Sequence, residues 1–355
     1  MTLLDRYLLR AVLGSVALVM MVLLVLGGLF LFIGQQDDIG VGRFTAIDAL
    51  WFVALNLPQQ AWELLPIATL IGALVGLGSL ARGSEITVMR ASGISVWRLA
   101  LSTLLAGVVL IAIEVALGEF IAPPLQQAAR QQKAFDKYTN VSFGSRGGAW
   151  VRDGNLILNV AGQSGERQFA GMTVFELAPE HRLRAIGRAA RATTGDRPVW
   201  VLSDYTESRF TRNRVLTRAA GERVLESNVS AGFLGLAVSD PRQLETQALW
   251  TLISYYQSNK LDARPYVFAF WSRIARTLAI GFAAILAVPF VLGSLRSAGT
   301  GARTLLGLTI GIIFFLAQRL IESGTVVFEL DPVVLAWLPT ALLGVIALTL
   351  LARAR

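Results

Sequence analysis

The segment of residues 11–33 constrains this chain most, because it is long, strongly apolar and free of charged side chains. A helix needs roughly 20 such residues, at about 1.5 Å of rise each, to cross about 30 Å of hydrocarbon. The segment is too long for the core of a signal peptide and has no small-residue cleavage pattern after it. We therefore predict that it is a retained membrane anchor.

Five more apolar stretches meet or approach the same length, which predicts six transmembrane helices in all. Charged residues make up 16% of the chain, compared with roughly 25% in ordinary soluble domains. The second predicted span contains Pro66 and several small residues that allow close helix packing. The spans after the first are predicted at residues 62–81, 97–121, 267–293, 304–321 and 333–351.

Arginine residues lie at alternate ends of the predicted spans, and the positive-inside rule places these ends in the cytoplasm. The opposite short loops carry mostly carboxylates, with Arg43 as the exception. This topology predicts a bacterial inner-membrane protein with both termini in the cytoplasm and residues 125–262 in the periplasm. The same arginines explain the net charge of +8, so nucleic acid is not an expected partner.

Residues 120–264 are rich in Arg, Asp, Glu and Gln, which indicates a part of the chain outside the membrane. Runs of period-two alternation, separated by turn residues, occur at 155–160, 169–177, 198–205 and 214–225. This pattern predicts an antiparallel β-sandwich or jelly roll. After Pro241, apolar residues recur at helical spacing, which predicts an amphipathic helix leading into the fourth span.

The predicted fold class is thus a membrane α-helical protein of six transmembrane helices with an inserted all-β, jellyroll-like periplasmic domain. Residues 1–124 would hold transmembrane helices 1–3, with a short cytoplasmic helix near residues 83–93. The jellyroll is predicted at 125–240, the connecting helix at 241–265 and transmembrane helices 4–6 at 266–355.

The sequence contains no GxxxxGK[ST] phosphate loop, nucleophile elbow or zinc motif, and it has no cysteine. We therefore expect no enzyme activity and no cofactor in this chain, so that ATP and Mg²⁺ would be bound by a partner. The single histidine, His181, is interpreted as a surface residue of a turn. Eight arginines are predicted on solvated strand faces or, alternatively, against an anionic ligand: Arg182, Arg184, Arg188, Arg191, Arg209, Arg212, Arg214 and Arg218.

Residues 81–97, ARGSEITVMRASGISVW, form a polar interruption between two spans on the predicted cytoplasmic side. We predict a short surface helix that Ser84 caps and Gly93 ends, with Glu85 at its positive end. Two interpretations stay open: an ordinary loop lying on the headgroups, and an element that docks into a cytoplasmic ATPase with Glu85 exposed. The apolar patch of this helix would consist of Ile86, Val88 and Met89.

Four ionisable residues fall inside predicted spans, where a charge costs several kcal/mol and normally faces protein or water. Counted by helical rise, they lie in the outer half of the membrane. We interpret them as ion pairs between the third and fourth spans, and a direct role in moving substrate is the alternative. These residues are Glu114, Glu119, Arg273 and Arg276.

Several motifs are spread over nearly the whole chain: LDRYLLR at 4–10, LLPIATLIGALVGLGSLARGSEITVMRASG at 64–93, GEFIAP at 118–123, WSRIA at 271–275 and LRS at 295–297. As a set they resemble the lipopolysaccharide export permeases of the LptF/LptG family, and its LptG branch more closely than its LptF branch. The resemblance implies six transmembrane helices with a periplasmic β-jellyroll between the third and fourth, which agrees with the architecture predicted from the residues.

The resemblance also implies a function and partners. The implied function is that of a permease in the ATP-driven exporter that extracts lipopolysaccharide from the outer leaflet of the inner membrane and passes it to a periplasmic bridge. The implied partners are LptF in a heterodimer, a dimer of the LptB ATPase beneath it, and LptC. Lipopolysaccharide would enter between the first helix of one permease and the fifth helix of the other.

The resemblance assigns roles to two groups of residues. Arg130 and Lys133 of the AARQQK stretch match basic positions of the family's cavity, which face lipid A phosphates. Family members often carry lysine near Leu31, Asp37, Asp38 and Gln59, where this chain does not. The coupling helix seated in LptB would comprise Ser84, Glu85, Ile86, Val88, Met89 and Arg90.

Two functions of other classes remain as alternatives. One is a membrane-anchored periplasmic sensor or assembly factor, although six spans exceed what an anchor needs. The other is an ion-driven secondary transporter that uses Glu114. The sequence shows no inverted repeat or broken helix pair, the features that indicate such transporters.

Overall fold

The computed structural model consists of helices from both ends of the chain and a β-sheet between them. It describes residues 2–40, 44–137, 149–153, 155–165, 168–178, 182–194, 199–211, 214–226, 241, 244–259, 261–292, 300–324 and 330–354. His181, Arg212 and the LRS motif at 295–297, all named above, lie outside these residues.

Helices within the described residues are α1 (Leu3–Ile33), α2 (Ala46–Arg82), α3 (Glu85–Ala91), α4 (Val96–Ala116), α5 (Ala122–Lys137), α6 (Thr246–Ser258), α7 (Arg264–Leu292), α8 (Thr300–Gly324) and α9 (Pro332–Arg353). A π-helical turn, Leu117–Ile121, joins α4 to α5. Five helical segments in this part of the chain are long and apolar enough to cross a membrane, and α8 adds a shorter apolar stretch, Thr309–Gln318, at the predicted fifth span. The prediction of a membrane helical protein with an inserted β domain is confirmed.

Helix α2 begins well before the predicted second span. Thr45 and Asp48 form a capping pair at its start, because Thr45 N donates to Asp48 Oδ2 at 2.8 Å and Asp48 N donates to Thr45 Oγ1 at 3.4 Å. Asn56 and Gln59 interrupt the apolar pattern, yet both are buried. A pattern based on apolar residues alone misses this part of the helix because its buried face is partly polar.

Helices α1 and α2 pack backbone to backbone. A Cβ atom added to Gly72 would lie 2.5 Å from Val16 Cα, and one added to Gly76 would lie 2.8 Å from the Ala11 carbonyl oxygen. The core of this bundle is shared by buried side chains of α1, α2, α4, α7 and α9, together with Ile86 of α3. Small residues therefore decide how closely the first two helices approach, as expected in lipid.

The turn between α4 and α5 follows from two adjacent prolines. Pro123 and Pro124 have no amide hydrogen, so they cannot donate to carbonyls of the preceding turn. The amide of Ala122 donates to the Leu117 carbonyl, five residues back. The Gly118 carbonyl thus loses its usual helical donor, and Pro123 cannot replace it. The helix continues to Lys137, whereas the third span was predicted to end at residue 121.

The described strands form one antiparallel sheet in the order β1-β2-β3-β4-β5-β6. They are β1 (Ala149–Asp153), β2 (Leu156–Gly165), β3 (Gln168–Leu177), β4 (Leu183–Thr194), β5 (Val199–Thr211) and β6 (Arg214–Glu226). The four predicted runs correspond to β2, β3, β5 and β6. This arrangement is compatible with the predicted jellyroll-like domain. Its buried face includes Phe169 and Trp200, whose ring centroids are 5.3 Å apart.

Strand β4 was not predicted because its buried positions are small. Ala185, Ala189 and Ala192 face the core, with exposed arginines between them. Gly187 also belongs to this strand, and the Tyr205 ring occupies the space where a side chain at Gly187 would be. Alternation between alanine, glycine and arginine gives a weak strand signal, because alanine and glycine have low β propensity.

By its internal contacts the chain divides into two compact units. The first unit, Met1–Gln35, Val53–Gln126 and Asp262–Arg355, contains the helical bundle. The second unit, Gln36–Phe52 and Gln127–Leu261, contains the sheet and α6. The second unit therefore includes the segment between α1 and α2 and the first two turns of α2, which lie in the predicted domain of residues 1–124.

We expect the substitution Gly72→Ala to lower the free energy of unfolding by about 1–3 kcal/mol, because the added methyl group overpacks the contact with the Val16 backbone. The matched control is Gly14→Ala on α1, where an added Cβ meets nothing within 4 Å. The control should leave stability unchanged or raise it, since alanine favours a helix over glycine. Thermal unfolding in detergent measures both, and equal melting temperatures would contradict the α1–α2 contact.

Candidate functional site

The polar helix predicted between two spans exists as α3, but Ser84 does not cap it. Two residues, Gly83 and Ser84, separate α3 from α2. Ser84 adopts a left-handed conformation with φ 62° and makes no side-chain hydrogen bond to the helix. An N-cap side chain reaches the first turn from the extended region, so the prediction of a Ser84 cap is wrong. Gly93, with φ 92°, follows the helix end, as predicted.

The predicted apolar patch of α3 does not form one surface. Ile86 is buried in the bundle core, and Met89 packs against that core. Val88 is 67% exposed. Residues three apart share one face of a helix, whereas Val88 lies on another. Helix α3 is therefore anchored in the bundle by two apolar side chains and presents the third to its surroundings.

Glu85, the first residue of α3, bonds to α1. The Tyr7 hydroxyl donates to Glu85 Oε2 at 2.6 Å. Glu85 is half-buried rather than fully exposed, as is Arg90 near the other end of the helix. A carboxylate has two oxygens and about four acceptor positions. The bond to Tyr7 therefore leaves Glu85 able to accept further hydrogen bonds from a cationic partner.

Asp5 holds the first turn of α1 against α4. This carboxylate is 4% exposed and accepts hydrogen bonds from Thr2 N at 2.8 Å, Ser102 Oγ at 2.7 Å and Arg98 Nη2 at 2.9 Å. We call these residues, Thr2, Asp5, Arg98 and Ser102, the Asp5 cluster. The sequence interpretation used Tyr7 and Asp5 only as parts of the LDRYLLR motif. The sequence feature that could have indicated this contact is the position of Asp5, a carboxylate just before an apolar span.

The buried charges form one ion pair between the predicted third and fourth spans. Arg273 Nε of α7 lies 3.3 Å from Glu119 Oε1. Arg273 Nη2 also donates to the Gly118 carbonyl at 2.7 Å. That carbonyl is the one left without a helical donor by Ala122 and Pro123. Arg273 therefore supplies the hydrogen bond that the proline sequence removes from the helix.

Trp62 of α2 completes this group, and the sequence interpretation did not identify it. The guanidinium carbons of Arg273 and Arg276 lie 4.9 and 4.4 Å from the Trp62 ring centroid, which is cation–π contact. A Cβ at Gly118 would collide with the same indole. Trp62, Gly118 and the two arginines therefore join α2, α4 and α7.

Glu114 is fully buried, and neither of its carboxyl oxygens has a hydrogen-bond partner. Arg276 Nε and Nη1 are buried and unbonded as well. Arg276 and Arg273 nevertheless act electrostatically on Glu114. A buried charge needs such compensation, because leaving water costs far more than for a neutral group. The expected ion pair thus forms at Glu119, while Glu114 interacts with the two arginines without a hydrogen bond.

Arg130 and Lys133, the residues assigned to the lipid cavity, differ in their surroundings. Arg130 is exposed on α5. Lys133 Nζ lies 2.6 Å from Asp38 Oδ2 and 4.9 Å from the Phe52 ring centroid, within the second unit. Asp38 is one of the residues near which family members often carry lysine. In this chain its carboxylate balances the charge of Lys133. Of these two cations, Arg130 is the more exposed.

These residues supply charges and hydrogen bonds rather than a reactive group. Among the described residues, no three His, Cys, Asp or Glu side chains converge in a way that could hold a metal ion. Glu85 and Arg90 can form ion pairs, and the planar guanidinium of Arg130 suits phosphate or carboxylate. In the bundle, Arg273 joins α7 to Glu119 and to the Gly118 carbonyl.

We expect Arg273→Ala to lower the free energy of unfolding by about 1.5–3 kcal/mol, because it removes a charge-assisted hydrogen bond to a buried carbonyl. In the background Pro123→Ala, residue 123 regains an amide hydrogen, so the same substitution should cost less. Arg264→Ala, at the exposed start of α7, is the control and should have little effect. Melting temperatures of the wild type, the two single variants and the double variant give the coupling energy between Arg273 and Pro123. Additive effects of the two substitutions would contradict the proline explanation.

The chain matches one family along most of its length. A sequence model of the family described as lipopolysaccharide export system permease LptF/LptG matches residues 6–353. The lipopolysaccharide export system permease protein LptG of Escherichia coli strain K12 is 30% identical over 352 residues, covering 99% of this chain and 98% of that protein. LptG of Haemophilus influenzae is 26% identical over 353 residues, covering 99% of both. These matches include the helical bundle, α3 and the β-sheet, and the chain therefore belongs to the LptF/LptG family of lipopolysaccharide export system permeases.

Proposed function

We propose that this chain is a permease subunit that extracts lipopolysaccharide from the outer leaflet of the inner membrane and passes it to a periplasmic bridge. Family membership and the names of the relatives support a role in lipopolysaccharide export. The observation that carries the proposed mechanism is α3, a seven-residue helix between two membrane-spanning segments that begins with Glu85. Such a helix offers a partner a charged and partly exposed surface.

Helix α3 is the proposed docking element for a dimer of the LptB ATPase, which would bind ATP and Mg²⁺. This chain has no phosphate-binding loop of its own. Ile86 lies in the same core as Leu8 of α1 and Leu99 of α4. A displacement of α3 therefore acts on the packed bundle rather than on a loose loop, since close-packed cores transmit strain. ATP binding would close the cytoplasmic ends of the helices and expel the lipid upward.

The other permease of the pair would be LptF, and LptC would receive the lipid from the cavity. Arg130 is the residue of this chain that we propose for contact with lipid A phosphates, because it is an exposed cation at a position matching the family's cavity. Lys133 would contribute only if a phosphate displaced it from Asp38, which it contacts at 2.6 Å. The chain performs no bond chemistry in this proposal.

The proposed orientation places the termini and α3 in the cytoplasm and the sheet in the periplasm. The chain lacks cysteine, so a single introduced thiol reports its own side of the membrane. In intact spheroplasts, Ala219→Cys on the exposed face of β6 should react with a membrane-impermeant maleimide. Ala91→Cys, exposed at the end of α3, should react only after the membrane is opened. The reverse pattern would contradict the orientation.

The docking proposal is tested by a pull-down of the full chain from its native membrane in mild detergent. Wild-type protein should retain a second six-span permease, a soluble ATPase and lipopolysaccharide. The variant Glu85→Arg should retain at least about tenfold less ATPase, roughly 1.4 kcal/mol in binding free energy, because it reverses the charge at the docking surface. Glu245→Arg, the same change at an exposed position before α6, is the matched control.

Undiminished ATPase binding by the Glu85→Arg variant would contradict the coupling role of α3. Recovery of the wild-type chain alone, or with periplasmic proteins only, would favour the membrane-anchored sensor instead. Recovery of the chain with bound lipopolysaccharide but without any ATPase would favour an ion-driven transporter. In that case Glu114, buried and without a hydrogen-bond partner, would be the first residue to test.

A further inference from the structure

We propose that Tyr7 is a positioning residue for the docking helix: it holds the Glu85 carboxylate in place and links α3 to α1. This inference rests on the proposed docking of α3 and adds the element of this chain through which that docking acts. The direct observation is the 2.6 Å hydrogen bond from the Tyr7 hydroxyl to Glu85 Oε2. Three further features of the structure give this bond its importance.

The first feature is the absence of a local cap at the start of α3. Ser84 has a left-handed backbone and its side chain makes no cap hydrogen bond. The first turn of a helix leaves amide groups unsatisfied and is normally fixed by such a cap. Gly83 and Ser84 are the only residues between α2 and α3. The described contact that orients the Glu85 side chain comes from another helix, at Tyr7.

The second feature is the rigid mounting of Tyr7. Asp5, two residues earlier, is held by Thr2, Ser102 and Arg98 in the Asp5 cluster. Leu8, the next residue, is completely buried in the core that also contains Ile86. Both partners of the Tyr7–Glu85 bond are therefore flanked by anchored neighbours. The carboxylate is presented in one orientation, which reduces the conformational entropy lost when a cation binds it.

The third feature is the contrast between the two halves of α1. Its buried residues are Asp5, Leu8, Val12, Val16 and Gly28, so most of them lie in the half near α3. The large apolar side chains of the second half are mainly exposed, including Met21, Val25 and Phe30. Within this chain the second half of α1 has fewer contacts to resist displacement. A movement of α3 that pulls on Tyr7 therefore acts on α1 through its restrained half, and the less restrained second half can follow.

This arrangement predicts that ATPase binding and the coupling of ATP hydrolysis to lipid movement depend on different members of the Tyr7–Glu85 pair. The charge of Glu85 should govern ATPase association, because a cation on the partner is attracted to it with or without Tyr7. The Tyr7 hydroxyl should govern the fraction of ATP turnovers that move lipid. Tyr7→Phe removes one oxygen atom from a side chain that is 46% exposed, so folding should be preserved.

The test uses the full chain assembled with its partners in proteoliposomes that contain lipopolysaccharide. For Tyr7→Phe we expect ATPase binding to stay within a few-fold of wild type. The lipopolysaccharide released per ATP hydrolysed should fall by roughly fivefold or more, the lower range of typical allosteric coupling. Tyr256→Phe, the same chemical change on α6, is the matched control and should leave both quantities unchanged. Unchanged release per ATP in Tyr7→Phe would overturn the inference.

A double-mutant cycle separates this role from a general loosening of the protein. Tyr7→Phe, Glu85→Ala and the double variant should show non-additive losses of release per ATP, because each single change removes one partner of the same bond. Pairing Tyr7→Phe with Ser92→Ala should give additive effects, since Ser92 follows the last residue of α3 and its Oγ bonds to the Met89 carbonyl, not to Tyr7 or Glu85. Additivity in the first cycle would overturn the inference.

The two proposals fail in different ways. If the wild-type chain binds no ATPase, the proposed function itself fails. If Glu85→Arg prevents ATPase binding while Tyr7→Phe changes nothing, the proposed function stands and the role of Tyr7 is refuted.

Discussion

Backbone amide and carbonyl groups inside a bilayer have no water to bond with, and the bundle of this protein depends on satisfying them. Continuous helices do so for most of the chain. The sequence GEFIAPP breaks the pattern, because Pro123 and Pro124 cannot donate hydrogen bonds. The helix responds with a π-helical turn, and Arg273 bonds to the Gly118 carbonyl from the neighbouring α7. A defect in one helix is thereby used to join two helices.

Several charged residues in this bundle connect helices. Arg273 and Arg276 both contact the Trp62 ring, which brings a third helix into the same contact. At the start of the chain, Asp5 is almost completely buried and bonds to Arg98 and Ser102 of α4. Arg273 and Asp5 are accepted in a low-dielectric environment because each is paired and hydrogen-bonded. These contacts connect α1 to α4 at one place, and α2 to α7 at the other.

The unit that contains the sheet uses the same pairing at its surface. Arg184 lies 3.3 Å from Glu176, and Arg209 lies 3.1 Å from Glu207. These arginines were considered as contacts for an anionic ligand, and their pairing favours the solvated strand faces instead. Exposed ion pairs of this kind contribute little to stability.

Hydropathy and charge periodicity were enough to predict the membrane class, the approximate spans, the inserted β region and the short helix near residues 83–93. These are local properties: a segment of apolar residues must enter lipid, and period-two alternation must pair as a sheet, whatever surrounds them. The adjacent prolines are also fixed by the sequence, since proline cannot donate a hydrogen bond in any environment, but the π-helical turn before them was not predicted. The tertiary structure decided which groups meet. Ser84 does not cap α3 because its backbone is left-handed rather than extended. Ile86 is buried because side chains of the bundle core surround it. The contacts of Trp62 with Arg273 and Arg276, and of Tyr7 with Glu85, could not be predicted from the sequence. They join residues that are far apart in the chain, where no rule of sequence spacing applies.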